Sequence, residues 1–453
     1  MSELGAGMPP GPSSPGGALL IREARVVTPV PPGFGGRDPG LAAPASPMAG
    51  YLRGNRQGEL RVMDPADVRI RGRRIEAVGP RLGPPSDGID ERVLEAGGRV
   101  LLPGFVDAHT HACWAGERMG EWEARLAGAT YQEILAAGGG ILSTVEAVRA
   151  SSEEALADAL LSRLGRALVH GTTTMEVKSG YGLTGDAELR MLRAIGRAGD
   201  AWAGEVVPTG LLGHAIDPAW PGGPDAWVDH VISEVLPRVT AEFPRAAIDA
   251  YCEEGAWSVG ACVRLFSAAR AAGHPVRVHA DQFRDLGMVE EAIRMGARSA
   301  DHLEASGAET LRALGDSDTA GVLLPVSGFH LDGRYADGRA LLDAGGAVVV
   351  ATNWNPGSAP SPSIPLALAL ATRENGLTVG EAIAAVTWNA AVLLGLPDRG
   401  WVGAGARADL VLFGHRDERE LAHTVGENAV DVVVAGGRVV VGNPVAGESR
   451  RMR

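Results

Sequence analysis

The chain is short of several things, and each shortage narrows what it can be. It has three cysteines in 453 residues, Cys113, Cys252 and Cys262. None stands in a paired metal-binding or redox spacing, and so sparse and odd a count suits a reducing, cytoplasmic setting. No stretch approaches the ~20 apolar residues of a membrane span, which argues against a membrane partner. Residues 1–17 are rich in Gly, Pro and Ser but lack a basic head and an apolar run. They are not a secretory signal and read as a disordered tail. Positive charge is also scarce: 42 Lys plus Arg face 55 Asp plus Glu, a net charge of −13. That balance argues against a nucleic-acid partner but does not exclude a local cationic pocket. No Gly-x-Gly-x-x-Gly follows an early strand. Gly138-Gly139-Gly140 lacks the Gly-Lys-Ser/Thr that would complete a phosphate cradle, and reads as a loop or lid near a site. The tryptophans form no stacking series.

What is present is an ordinary core-forming composition, 45% hydrophobic and 21% charged. Both ends are rich in short β-type runs. At the start these are Ala18 to Val30, Leu60 to Met63, Val68 to Arg71, Arg74 to Val78 and Glu95 to Val100; at the end, Ala408 to Phe413 and Asp431 to Val441. Gly72 sits in the turn of a predicted hairpin. A Pro/Gly-rich insertion at 31–49 interrupts the first group. One small composite β domain, 18–99 plus 401–453, therefore flanks a larger unit at 100–400.

That larger unit alternates strand-like and helix-like segments. The strands are Val100–Val106, His170–Val177, Glu205–Leu212, Ala247–Cys252, Pro275–His279, Ala297–His302, Gly321–Val326 and Ala347–Thr352. Helical stretches such as Ser152–Leu168, Asp186–Ala198 and Trp257–Ala272 lie between them, the last closed by Gly273. Eight βα repeats predict an α/β fold, a (β/α)8 TIM-type barrel, with its site at the C-terminal ends of the strands.

Ionisable and polar residues stand at most of those ends. The first strand ends in His109-Thr110-His111, whose i, i+2 imidazoles project to one side and can converge on a divalent metal, zinc or iron. Glu176, Lys178 and Tyr181 follow the second, His214 the third, Glu253 and Glu254 the fourth, and His279-Ala280-Asp281-Gln282 the fifth. Asp301-His302 ends the sixth and Asn353-Trp354-Asn355 the eighth. Singly each could be structural; jointly they describe a metal hydrolase.

The run Leu102-Pro103-Gly104-Phe105-Val106-Asp107-Ala108-His109-Thr110-His111, with His279, His302 and the composite β domain, resembles the amidohydrolase superfamily. Lys178-Ser179-Gly180-Tyr181-Gly182-Leu183, His279-Ala280-Asp281-Gln282, Ala300-Asp301-His302-Leu303 and Asn355-Pro356-Gly357-Ser358 are more narrowly similar to the imidazolonepropionase family. The likeness runs from about Val100 to Leu412 and omits the N-terminal insertion. It implies hydrolysis of a cyclic amide, 4-imidazolone-5-propanoate, to N-formimidoyl-L-glutamate in histidine degradation. It further implies one bound metal on His109, His111 and His279, with His302 moving the proton of the attacking water. The small-molecule substrate, which bears a carboxylate, would be held by Arg118, Tyr181, His214 and Gln282, with Asn355, Gly357 and Ser358 beside them. A homodimer is implied too.

One position departs from the superfamily pattern. Its eighth strand ends in an aspartate that reaches the metal; here the residue is Asn353. An amide oxygen can ligate or accept a hydrogen bond but is no carboxylate base. Either proton transfer leans on His302, or the metal is weakly held and activity impaired. Another cyclic amidase or a nucleobase deaminase of the same superfamily, and a barrel that binds without turnover, are the alternatives. Lys178 reads as a structural ion-pair residue rather than a carbamylated metal bridge, and Cys113 and Cys252 as packing residues.

Overall fold

The computed structural model describes residues 18–32, 50–85, 91–129, 133, 139–217 and 220–442. The tail at 1–17, most of the 31–49 insertion, Gly138 and residues 443–453 lie outside them.

The chain begins with β1 (Ala18–Pro29), β2 (Leu60–Arg71), β3 (Arg74–Gly79), β4 (Glu91–Glu95) and β5 (Val100–Pro103). The barrel strands follow: β6 (Phe105–Asp107), β7 (Thr172–Lys178), β8 (Glu205–Gly213), β9 (Ala247–Cys252), β10 (Val276–Ala280), β11 (Ser299–His302), β12 (Ala320–Leu323) and β13 (Val348–Val350). The chain then returns to the first sheet with β14 (Leu410–Phe413), β15 (Val430–Ala435) and β16 (Arg438–Val441). Sheet one runs β16-β15-β14-β5-β1-β2-β3, with β4 on β1; sheet two runs β6 to β13 in sequence order. Every pairing within sheet two is parallel. A parallel Thr110–Trp354 bridge joins its two ends, with Asn353 N–H donating to His109 C=O and His111 N–H to Trp354 C=O, both at 3.0 Å. The barrel is thus closed by the residues that flank its histidines.

The helices follow local rules. Ser152, Thr184 and Ser258 each cap a helix by accepting the N–H three residues on, and Thr378 forms a reciprocal capping box with Glu381. Helices Glu153–Leu168 and Gly185–Ala201 bury one face each, with Leu156, Leu160 and Leu164 on the first and Leu189, Leu192 and Ile195 on the second. Among the described residues, no helix is long and apolar enough to cross a membrane.

Four sequence expectations need correction. The run Glu95–Val100 is no strand: it spans the turn at 96–99 between the end of β4 and the start of β5. The run Val100–Val106 is two strands, not one: β5 belongs to the small sheet and β6 to the barrel. The break is at Gly104, whose N–H donates to Asp409 C=O and where a Cβ would overlap the Thr173 hydroxyl. The barrel therefore starts at Phe105, beyond the expected boundary at 100. Leu60–Met63 and Val68–Arg71 are halves of one strand, carried across Pro65 by register shifts against β1. The seventh barrel strand stops at Leu323, because Pro325 starts a helix over Pro325–Leu331.

Replacing Gly104 by valine forces a branched side chain into Thr173 at the joint of the two sheets. A loss of about 1–3 kcal/mol is expected, read as a lower midpoint in thermal or urea unfolding. An unchanged midpoint would show that the joint can yield.

Candidate metal-hydrolase site

Charged side chains line the inside of the barrel in register. On β10, Arg277 and His279 face the same way two residues apart, and the register sets Arg277 against Asp249 and Ser299, and His279 against Asp301. Arg277, Asp249, Asp301, Glu176 and Lys178 are all at most 1% exposed. Charges buried this deeply persist only when paired and hydrogen-bonded. Lys178, the only lysine in the chain, donates to Glu176 and Asp249, both at 2.8 Å. Arg277 donates to Asp301 at 2.6 Å, to Ala108 C=O at 2.8 Å and to Ser299 Oγ at 3.0 Å. The structural ion-pair role expected of Lys178 is what the geometry displays.

Above this network the imidazoles are oriented from below. His109 Nδ1 lies 2.6 Å from Asp301 Oδ2, and His279 Nδ1 lies 3.1 Å from Asp249 Oδ1. A carboxylate on Nδ1 fixes the tautomer and leaves Nε2 with a free lone pair. His109 Nε2 is buried with no hydrogen-bond partner, and so is Asn353 Oδ1. Donor atoms of His109, His279 and His302 all lie within 4.8 Å of one another. His111 joins them through Nε2, 3.2 Å from Nε2 of His279. Two nitrogens bound to one tetrahedral ion at about 2.0–2.1 Å stand about 3.3 Å apart. This donor set fits a divalent metal.

Electrostatics agree. Burial, then the cationic neighbours Lys178 and His279, hold His109 well below the usual imidazole range; burial, then His279 and His214, do the same for His111. Burial lowers His279 too, against the opposing pull of Asp249. All three are neutral at pH 7, the form that ligates. Burial also brings His214 down to about 3.

The remaining expected residues ring this cluster. His214 stacks on His111 (centroids 5.3 Å apart) and donates a 2.8 Å bond from Nδ1–H to Gly180 C=O. Tyr181 packs against both His214 and His111, at 5.2 and 6.1 Å, and burial raises its phenol. His302 Nδ1 meets Glu304 at 3.1 Å. Gln282 and Glu304 line a small cavity together with Ser327 and Gly328. Arg118 lies across the barrel mouth over Gly357, where a Cβ would overlap its guanidinium. Asn355 and Ser358 are engaged with each other: Asn355 Oδ1 accepts the N–H groups of Gly357 (2.8 Å) and Ser358 (2.7 Å) and shapes that loop. Glu253 is also structural, accepting the N–H of Phe283 at 2.8 Å. Cys113, Cys252 and Cys262 are free and buried, as packing residues are. Sequence reasoning missed Asp249, Asp301 and Glu304 as partners of the histidines, and Arg277 as the cation paired with Asp301.

Left-handed backbone concentrates here. Asp281 (φ 56°), His302 (92°), Leu303 (72°) and Asn353 (55°) all take positive φ at the ends of β10, β11 and β13. Such conformations cost about 1–3 kcal/mol each and persist where surrounding contacts enforce them.

Fold and site together define a hydrolase barrel with a histidine metal centre, and the model of the amidohydrolase family matches residues 100–440. The chain is 46% identical over 401 residues to an imidazolonepropionase of Deinococcus radiodurans, covering 88% of this chain and 98% of that one. It is 47% identical over 405 residues to an imidazolonepropionase of Rubrobacter xylanophilus, covering 88% and 96%. The chain belongs to the amidohydrolase family and, within it, to the imidazolonepropionases. A crystal structure of a mutant atrazine chlorohydrolase from Arthrobacter aurescens, complexed with zinc and atraton, shares the fold. Its TM-score is 0.61 at 19% identity, over 95% of this chain and 97% of that one.

Two expectations follow. Asp301→Asn removes the anion that orients His109, and metal affinity should fall about 10–100-fold in equilibrium dialysis. Unchanged affinity would mean that His109 does not ligate. In metal-stripped protein, the folded state holds His214 neutral down to pH about 3, while an unfolded imidazole protonates near 6.5. Between those values the unfolded chain binds more protons, so stability is full above about pH 6.5 and is lost as pH falls towards 3. The slope is roughly 1.4 kcal/mol per pH unit for each imidazole kept neutral. Denaturant titrations at pH 7, 6 and 5 measure it, and a flat profile would refute it.

Proposed function

We propose that this chain hydrolyses 4-imidazolone-5-propanoate to N-formimidoyl-L-glutamate, a step of histidine degradation. The single observation that carries the reading is the set of converging imidazoles, two of them braced by buried carboxylates, below a mouth that holds Arg118. The high-coverage relatives select the substrate from among amidohydrolase chemistries and disfavour a nucleobase deaminase. Three buried free thiols support a cytoplasmic location.

His109, His111 and His279 would hold one divalent ion, with the Asn353 amide oxygen as the neutral fourth donor. Zinc or iron bound there lowers the pKa of a water and polarises the ring carbonyl. The chain's own residues do the rest. His302, with Nδ1 on Glu304, takes the water's proton at its other nitrogen and delivers it to the ring nitrogen as the amide C–N bond breaks. Arg118 takes the propanoate through a guanidinium fork, Tyr181 and His214 hold polar groups of the substrate, and Gln282 faces the ring. Neutral Asn353 leaves the centre more positive than a carboxylate would, which favours a more acidic water.

The test is metal content and ring-opening rate for wild type and Asn353→Asp. About one zinc or iron per chain with clear wild-type turnover supports His302 as the base. Turnover only in Asn353→Asp would mark the native site as disabled. Neither metal nor turnover in both proteins would overturn the hydrolase reading.

A further inference from the structure

Arg118 is more constrained than a carboxylate-binding arginine needs to be. Its Nε and Nη2 both donate to one oxygen of Glu121, at 2.8 and 2.6 Å. The other Glu121 oxygen accepts the Gly140 N–H at 2.9 Å and the Ser143 hydroxyl at 3.3 Å. The two side chains are only 13% and 18% exposed. A guanidinium has two edges able to grip a carboxylate, one formed by Nε and Nη2 and one by Nη1 and Nη2. Glu121 occupies the first. Gly357 packs on a flat face of the group, with no Cβ to displace it. The second edge stays free: among the described residues, Nη1 has no hydrogen-bond partner. Glu121 itself sits on a helix (Met119–Leu126) braced by the Trp122–His330 stack at 4.5 Å and by Arg125 donating to Leu331 C=O at 3.1 Å. That brace ties it to the end of the helix Pro325–Leu331 that follows the seventh barrel strand.

We infer that Glu121 is a positioning residue for substrate recognition: it clamps the inner edge of Arg118 so that the outer edge is presented, already oriented, to the substrate's carboxylate. A long arginine side chain otherwise loses rotamer freedom on binding, and holding it in place beforehand removes that cost. The opposite role, in which Glu121 competes with the substrate, would require both carboxylates to use the same edge. The free Nη1 removes that requirement. This inference rests on the proposed role of Arg118.

The experiment needs no turnover. Calorimetry on the metal-loaded protein compares 3-(imidazol-4-yl)propanoate with 4-ethylimidazole, which lacks the carboxylate, for wild type, Glu121→Gln, Arg118→Ala and Gly357→Ala. Glu121→Gln should weaken the propanoate about tenfold and leave 4-ethylimidazole unchanged, with metal content and melting temperature close to wild type. In turnover the same variant should raise KM for the substrate and leave kcat nearly constant. Gly357→Ala, which displaces the guanidinium from its other side, should give the same selective loss and serves if Glu121→Gln does not fold. If Arg118→Ala fails to discriminate between the ligands, the proposed carboxylate site itself falls. If Arg118→Ala discriminates but Glu121→Gln binds the propanoate equally well or more tightly, the positioning role alone is overturned. Equal loss for both ligands in Glu121→Gln or in Gly357→Ala would also overturn it.

Discussion

The structure depends on the bond between a buried carboxylate and the Nδ1 of an imidazole. Asp301 Oδ2 serves both His109 and Arg277, at 2.6 Å each, while Asp249 serves His279 and Lys178. An unpaired anion in so dry an interior costs several kcal/mol, so each carboxylate needs both a cation and a histidine. The barrel meets the need by register, since parallel strands put Asp249, Arg277, Ser299, His279 and Asp301 on neighbouring positions of one inner surface. Strand pairing, charge balance and imidazole orientation are therefore one constraint. Even closure obeys it, because the backbone of His109 and His111 pairs with that of Asn353 and Trp354.

Much of this was readable beforehand. Eight strand-like segments alternating with helix-like ones predict the barrel, and the strand-end histidines mark its chemical face. The small sheet was readable from its β-rich ends. What escaped was of two kinds. Val100–Val106 is one continuous apolar run, and nothing local says that Gly104 hands the chain from one sheet to another; only the close approach of Thr173 does. The partners Asp249 and Arg277 lie inside strands, whereas attention to strand ends favours the loops; Asp301 was seen at a strand end but not as the partner of His109. A signal did exist: Val276-Arg277-Val278-His279 alternates apolar and ionisable residues in a strand that a fully enclosed barrel should make apolar throughout. Glu304 was hidden for another reason. It reaches His302 only because His302 and Leu303 both turn left-handed, a choice sequence patterns do not encode.

Asn353 takes on a different aspect beside this network. The inner wall already carries Glu176, Asp249 and Asp301 as anions a layer below the imidazoles, each matched to Lys178, Arg277 or a histidine. A carboxylate at 353 would add an anion in the upper layer, which a bound cation would have to balance. With an amide there, His109, His111, His279 and Asn353 form a layer without a carboxylate, and Asp249 and Asp301 sit beneath it. The neutral upper layer leaves His109 and His279 dependent on Asp301 and Asp249 below them for their orientation.

Lys178 has a consequence well away from catalysis. It is the only lysine in 453 residues, and its side chain is fully buried between two carboxylates. The outer surface therefore displays its positive charge as guanidinium alone. Among side chains there is no accessible primary amine for an acylating label, a sugar aldehyde or an isopeptide-forming enzyme to attack while the barrel remains folded. Modification of that one ammonium would report unfolding of the core itself, which makes the chain its own amine-based probe of integrity.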